Sequence, residues 1–307
     1  MLGYIFLSAS IASGAIKGFF GKKVSNKTNG FKGAVLANLI RMLFCIPVGF
    51  VFVLFDGGIS SLAVSKKVLL ISAFGGIATS IFIATWLLAV QKSAFTAVDT
   101  FVSMGILIPI VLSCIIYKET ITYFEIIGLV LLLLSVVVMS LYSNQIKQKL
   151  NLLSILLLLI VGIANGFNEF SYKIFQYNKA NTPASAFNFY IYVFSAITLT
   201  LLFLSLSVRK EPVNNSQTKE KPTLDKQTLL YIVVMATFLF CNSYFKTLAA
   251  TRLSAVQIYP LAQGSALVLT LLMSALIFKE KIKPLCIIGL IILFVGLIFI
   301  NIIPLLI

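Results

Sequence analysis

Apolar runs of roughly helix-spanning length follow one another along the whole chain, separated by short polar breaks. A helix needs about 20 apolar residues to cross a bilayer. Ten segments meet that length: 2–21, 33–55, 67–91, 94–117, 122–142, 152–174, 184–207, 227–250, 255–278 and 283–305. The runs are continuous rather than alternating, which excludes a strand-built barrel. The pattern therefore predicts an all-α polytopic membrane protein of ten transmembrane helices. Thr122-x-x-Glu125 is spaced as a capping box for the fifth helix, and Pro284 fits the first turn of the tenth. Pro109 and Pro260 fall inside the fourth and ninth spans, where each removes a backbone hydrogen bond and favours a bend. The longest break, 207–226, is polar and basic and reads as a flexible loop.

The apolar pattern repeats. A shift of 161 positions places Tyr117-Lys118-Glu119 on Phe278-Lys279-Glu280, Gly128 on Gly289 and Ala94 on Ala255. The same shift brings Trp86-Leu87-Leu88-Ala89 onto Thr247-Leu248-Ala249-Ala250. The first and sixth helices correspond at a spacing of 152, as Ser10-x-x-x-Gly14-x-x-x-Gly18 and Gly162-x-x-x-Gly166. Small residues at that period let helix backbones approach closely in lipid. Asn38 and Asn188 are 150 apart in the second and seventh helices. Two five-helix repeats follow, 1–146 and 147–307, with the 207–226 loop inside the second. Five is odd, so the second copy enters the membrane from the opposite side. Inverted repeats of this kind build alternating-access transporters with a site near the midplane.

Composition agrees with this picture and removes alternatives. The chain is 60% hydrophobic and 11% charged, with a mean hydropathy of +1.05; soluble domains carry about 25% charged residues. The net charge of +15 raises nucleic acid as a partner, but the basic residues sit in short loops between spans, so the partner expected is the lipid bilayer and not nucleic acid. Of the 24 lysines and arginines, 15 lie on one side of the predicted bundle, 6 on the other and 3 within helices. The bias predicts cytoplasmic loops at 22–32, 143–151, 207–226 and 279–283, with both termini outside. No basic segment precedes the first apolar run, so residues 2–16 read as a retained helix. The four cysteines lie in apolar runs and there is no histidine. Neither a metal site, a cofactor nor a disulfide framework is expected. The same lack of histidine, clustered carboxylates and metal-ligand sets disfavours a membrane-embedded enzyme.

Ionisable groups within spans are expensive, roughly 2.5–3.5 kcal/mol each at a helix centre on insertion scales. Lys17, Arg41 and Asp99 lie toward the basic face, and Glu169 and Lys246 toward the other. Asp99 is expected to face Lys17 or Arg41. Glu169 is expected to face Lys246 or, one turn along its own helix, Lys173. Such groups serve as gates or substrate contacts, or snorkel to the interface. Among amides, Asn38, Asn165, Asn168, Asn188, Asn242 and Gln263 are candidates for a cavity or for helix-to-helix bonding. Asn165 and Glu169 share a helix face. Trp86, Tyr190, Tyr192, Tyr244 and Tyr259 are aromatic candidates. The set expected to bind or gate is Lys17, Asn38, Arg41, Asp99, Asn165, Glu169, Asn188, Lys246, Tyr259 and Gln263.

Taken together, the chain resembles the EamA-type transporters of the drug/metabolite transporter superfamily. The likeness rests on Arg41, on Ser93-Ala94 and Leu253-Ser254-Ala255 before the fourth and ninth helices, on the two Lys-Glu turns, and on Gly128, Gly289 and Gly296. It implies that the first four helices of each half line a cavity and that the fifth and tenth are peripheral. It also implies cytoplasmic termini, against the charge count, which is followed here. The superfamily's small four-helix drug exporters place a glutamate two turns before a lysine in the first helix; here that region reads Ser13-Gly14 before Lys22. The expected function is a secondary transporter, monomeric or homodimeric, in a bacterial plasma membrane. It would move a small organic metabolite (amino acid, sugar or drug-like solute) by alternating access, as an exporter. A lipid-linked sugar flippase is the alternative.

Overall fold

The structure, a computed structural model, describes residues 2–28, 30–92, 95–143, 152–178, 181–208, 225–277, 284–301 and 303. The helices are α1 (Leu2–Ser25), α2 (Gly30–Asp56), α3 (Lys66–Lys92), α4 (Phe95–Met104), α5 (Leu107–Tyr117), α6 (Tyr123–Ser143), α7 (Leu152–Asn178), α8 (Ala184–Val208), α9 (Lys226–Ala250), α10 (Ala255–Leu276) and α11 (Pro284–Asn301). Each answers one expected span, except that α4 and α5 together make the fourth. Seven are long and apolar enough by themselves to cross a membrane: α1, α2, α3 and α7 to α10. Their outer faces are apolar, with Leu70 71% and Leu201 64% exposed, as lipid contact requires. The turns around Ser93-Ala94 and Lys279-Glu280-Lys281, and most of 143–151 and 207–226, lie outside the described residues.

Helix ends follow local chemistry. Thr122 and Glu125 form the expected capping box: the Thr122 N–H donates to Glu125 Oε2 at 2.7 Å and the Glu125 N–H to Thr122 Oγ1 at 3.3 Å. Ser254 and Gln257 form another at α10. Asp225 caps α9, accepting from the Thr228 N–H at 2.9 Å. The hydrogen bonds from Thr228 and Lys27 lower the Asp225 carboxyl to about 2.

The two prolines act differently. The fourth span is interrupted at Gly105-Ile106, four residues before Pro109, whose missing N–H leaves the Gly105 carbonyl to accept from the Ile108 N–H at 3.1 Å instead. α10 continues through Pro260. The interruption packs on Gly162-x-x-x-Gly166 of α7. A Cβ on Gly162 would stand 2.6 Å from the Phe101 carbonyl oxygen, so only glycine admits this approach. Gly128 and Gly296 make a similar contact between α6 and α11, where a Cβ on Gly128 would stand 2.6 Å from the Gly296 carbonyl oxygen. Gly162→Val is therefore expected to lower stability by about 1–3 kcal/mol or more through overpacking. Gly33→Ala, whose Cβ would meet nothing nearer than 3.9 Å, should be near neutral. Thermal unfolding of the purified variants in detergent measures both.

The packing of the helices is symmetric between the two halves. α1 packs on α9 and α3 on α7, α1 on α10 and α7 on α4 and α5, α2 on α8, and α6 on α11. Exchanging the first five spans with the second five leaves that set of neighbours unchanged. The bundle is thus two five-helix units paired about a common centre, with α6 and α11 packed against each other at the side.

Candidate functional site

A cavity opens at the centre, walled by α1, α2, α3 and α4 of the first half and α7, α8, α9 and α10 of the second. Among the described residues, none of α6 or α11 lines it. Seven of the ten residues expected from the sequence line it: Lys17, Arg41, Asp99, Asn165, Glu169, Lys246 and Gln263. Three do not. Asn38 donates to the Ala34 and Ile83 carbonyls, each at 2.9 Å. Asn188 donates to the Ala184 carbonyl at 2.8 Å and to Thr247 Oγ1 at 2.9 Å. These two amides, paired by the repeat, each tie the second helix of a half to its third. Tyr259 stands behind the wall and donates to the Glu169 carbonyl at 2.8 Å.

The charges in the wall are unevenly partnered. Lys246 pairs with Glu169 at 2.6 Å, one of the two expected arrangements; Lys173 turns instead to Glu119 at 2.9 Å. Asp99 meets neither Lys17 nor Arg41 in an ion pair. Its oxygens accept from Trp86 Nε1 at 3.2 Å and from Thr270 Oγ1 at 2.6 Å, so neutral donors satisfy it. Arg41 is 2% exposed, and its Nη1 reaches only the Met235 sulfur, at 3.5 Å. Its Nε and Nη2 are buried with no partner. Lys17, whose repeat equivalent at spacing 152 is Glu169, lines the cavity with no ion pair among the described residues.

Neutral polar groups knit the wall together. Tyr192 and Tyr172 both donate to Ser243 Oγ, at 2.6 and 3.1 Å. Thr79 Oγ1 donates to Asn168 Oδ1 at 2.6 Å. Asn242 Nδ2 donates to the Ser10 carbonyl at 2.7 Å, and Asn165 Nδ2 to the Val102 carbonyl at 3.3 Å. Each of these bonds joins two different helices, so the wall is held in register by bonds the lipid cannot replace. Tyr172, Ser243, Thr270 and Met235 were not among the expected residues. Tyr172 and Thr270 were within reach of helical spacing: they follow Glu169 by three and Gln263 by seven, on the same faces. Among the described residues, no group of three or more potential metal ligands occurs.

The model of the EamA-like transporter family matches residues 1–141 and again 152–302. The chain belongs to the EamA-like transporter family. No curated protein matches the sequence. Among solved structures, 28 chains match. One crystal structure aligns with a TM-score of 0.70 over 97% of this chain and 96% of its own, at 13% identity, which speaks to the fold alone. This EamA-like chain is an integral multi-pass membrane transporter of the drug/metabolite type. The family's members are transporters rather than enzymes.

Next to the cavity, this EamA-like transporter carries a polar clasp. Lys118, in the left-handed region at φ 55°, ends α5 and turns the chain toward α10. Glu119 Oε2 then accepts the Ala255 N–H at the start of α10, at 2.9 Å. Its Oε1 accepts from Lys173 Nζ at 2.9 Å and from the Tyr177 hydroxyl at 3.0 Å. Lys173 also donates to the Leu253 carbonyl at 3.1 Å. One carboxylate thus joins the α5–α6 turn, the end of α7 and the α9–α10 turn, across the two halves. Burial alone would push the Glu119 carboxyl up, but the Ala255 N–H and the Lys173 ammonium outweigh it and hold it below its ordinary value. A lowered folded value stabilises the protein above the unfolded value, near 4.3, and that contribution disappears as pH falls through the folded value. The wild type should therefore lose thermal stability below about pH 4 more steeply than Glu119→Gln. Unfolding temperatures of both proteins across pH 3–7 test this.

Proposed function

We propose that the protein is a secondary transporter that moves a small organic metabolite across the membrane by alternating access, as an exporter, with the central cavity as its substrate site. The observation that carries this reading is the cavity's wall. Corresponding helices of two halves enclose it, and five intramembrane ionisable side chains face it. Charged groups within spans mark substrate and ion pathways, because their insertion penalty has to be offset by function. The paired halves, split near 146–147, allow one mouth to close as the other opens, with the site fixed between them. Lys17, Arg41, Asp99, Asn165, Glu169, Lys246 and Gln263 form the binding surface, and Tyr259 supports it through Glu169. Asn38 and Asn188 act as helix ties. The loop charge bias supports an orientation with the basic loops in the cytoplasm and both termini outside, in a bacterial plasma membrane.

A panel of labelled metabolites, ranked by thermal stabilisation of the purified protein and then assayed for counterflow in proteoliposomes, tests the reading. Saturable counterflow by at least one stabilising compound is expected. Stabilising compounds that bind yet show no counterflow would remove the cavity as the site of an alternating-access carrier for small metabolites.

A further inference from the structure

Two cationic groups in the cavity have no acidic partner, and one of them, Arg41, also has two buried nitrogens without any hydrogen bond. Arg41 is 2% exposed, in the middle of α2, and its Nε and Nη2 have no partner. Those two nitrogens make the side-on edge of the guanidinium. It is the edge that presents two parallel N–H bonds to a planar pair of oxygens. Nη1, on the other side, faces only a thioether. The remaining charges do not compensate it. Glu169 is bonded to Lys246, and Asp99 is held by Trp86 and Thr270. Lys17 adds a second cation to the same wall. The repeat sharpens the asymmetry, because Lys17 occupies in α1 the place that Glu169 occupies in α7. The wall therefore carries three cations against two carboxyl groups, and the two cations without an acidic partner are Lys17 and Arg41.

From this geometry we infer that the transported molecule is an organic oxyanion, a carboxylate or phosphate ester, whose two oxygens dock on the Nε–Nη2 edge of Arg41 with Lys17 as the supporting charge. The inference rests on the proposed transport role of the cavity and names the substrate class for it. A bidentate charge-assisted contact in a site of low dielectric discriminates the anion from its neutral amide by about tenfold or more. The organic remainder faces Trp86, Tyr172 and Tyr192, which line the same space.

The chain contains one tryptophan, Trp86, and it stands in the cavity wall, so its fluorescence reports on the site directly. Iodide and caesium are the probes, each titrated against purified protein at fixed ionic strength. With each quencher normalised to its effect on free N-acetyltryptophanamide, iodide is expected to quench Trp86 at least about threefold more strongly than caesium, because the cationic cleft concentrates it. Arg41→Gln should bring the two close together, and Lys17→Gln should reduce the difference. Benzoate and phenyl phosphate should relieve iodide quenching at about tenfold lower concentration than benzamide; which of the two acts more strongly separates carboxylate from phosphate. Equal quenching by iodide and caesium overturns the inference. So does an iodide preference untouched in Arg41→Gln, or relief by benzamide equal to that by benzoate. Flux assays keep the two levels apart. Counterflow of a neutral compound alongside equal quenching removes the oxyanion assignment and leaves transport standing. Relief by an anion that shows no counterflow does the reverse.

Discussion

Arg41→Met is expected to abolish flux in proteoliposomes while the protein inserts, purifies and unfolds at or above the wild-type temperature. The two halves of that expectation come from the same fact. Arg41 is buried with no acidic partner, so its removal strands no anion and breaks no ion pair. Methionine retains most of the aliphatic stem and removes only the charged head, whose Nη1 reaches the Met235 sulfur at 3.5 Å. Exchanging a buried, unanswered charge for an apolar side chain is neutral or stabilising by about 1–4 kcal/mol in comparable settings. A group kept at that expense and not needed for folding is kept for what enters the cavity. Flux at the wild-type rate from Arg41→Met would separate the residue from transport, and a collapse in stability would show that it has a structural partner after all.

The Glu169–Lys246 pair predicts the opposite balance. Its nitrogen and oxygen are 2.6 Å apart, with side-chain exposures of 13% for Lys246 and 7% for Glu169. Glu169→Gln leaves the Lys246 ammonium without its anion, and removal of one partner of such a pair costs about 3–5 kcal/mol. Both stability and flux are expected to fall. The double variant Glu169→Gln, Lys246→Met removes the stranded charge and should recover most of the stability without recovering flux. Thermal unfolding and counterflow, measured on the same three preparations, distinguish a pair that only holds α7 to α9 from one that also serves the site. Recovery of flux in the double variant would make the pair a structural tie.

The span pattern and the repeat were legible because both rest on properties that belong to the sequence itself. Apolar length sets a span, and helix-period spacing sets a face. Glu169 and Lys246 were readable as partners because only a few ionisable groups lie within spans. The break at Gly105-Ile106 was less legible. Pro109 marked the fourth span for a bend, but the same residue type at Pro260 left α10 continuous, and the difference lies in the approach of Gly162 and Gly166 from another helix. Asn38, Asn188 and Gln263 are all polar residues within spans, and the sequence offers no means of telling which faces neighbouring backbone and which faces the cavity. Asp99 was expected against a cation because charge was the visible property; its actual donors, Trp86 and Thr270, lie 13 and 171 positions away and are neutral. The clasp at Glu119 was hidden for a related reason. The Lys-Glu turn marked a helix end and a repeat boundary, while its role depends on a main-chain N–H at Ala255, which no side-chain pattern announces.

The central claim is that one site in the cavity is reached alternately from the two faces of the membrane. Gln263, on the cavity wall, offers the most direct test. In a background where Cys45, Cys114, Cys241 and Cys286 are replaced, Gln263→Cys is placed in sealed vesicles of defined orientation and exposed to a membrane-impermeant thiol reagent from one face at a time. Alternating access predicts modification from the outer face and, in separate vesicles, from the inner face as well. Modification from one face only, under every ligand and temperature condition that supports counterflow, would contradict it.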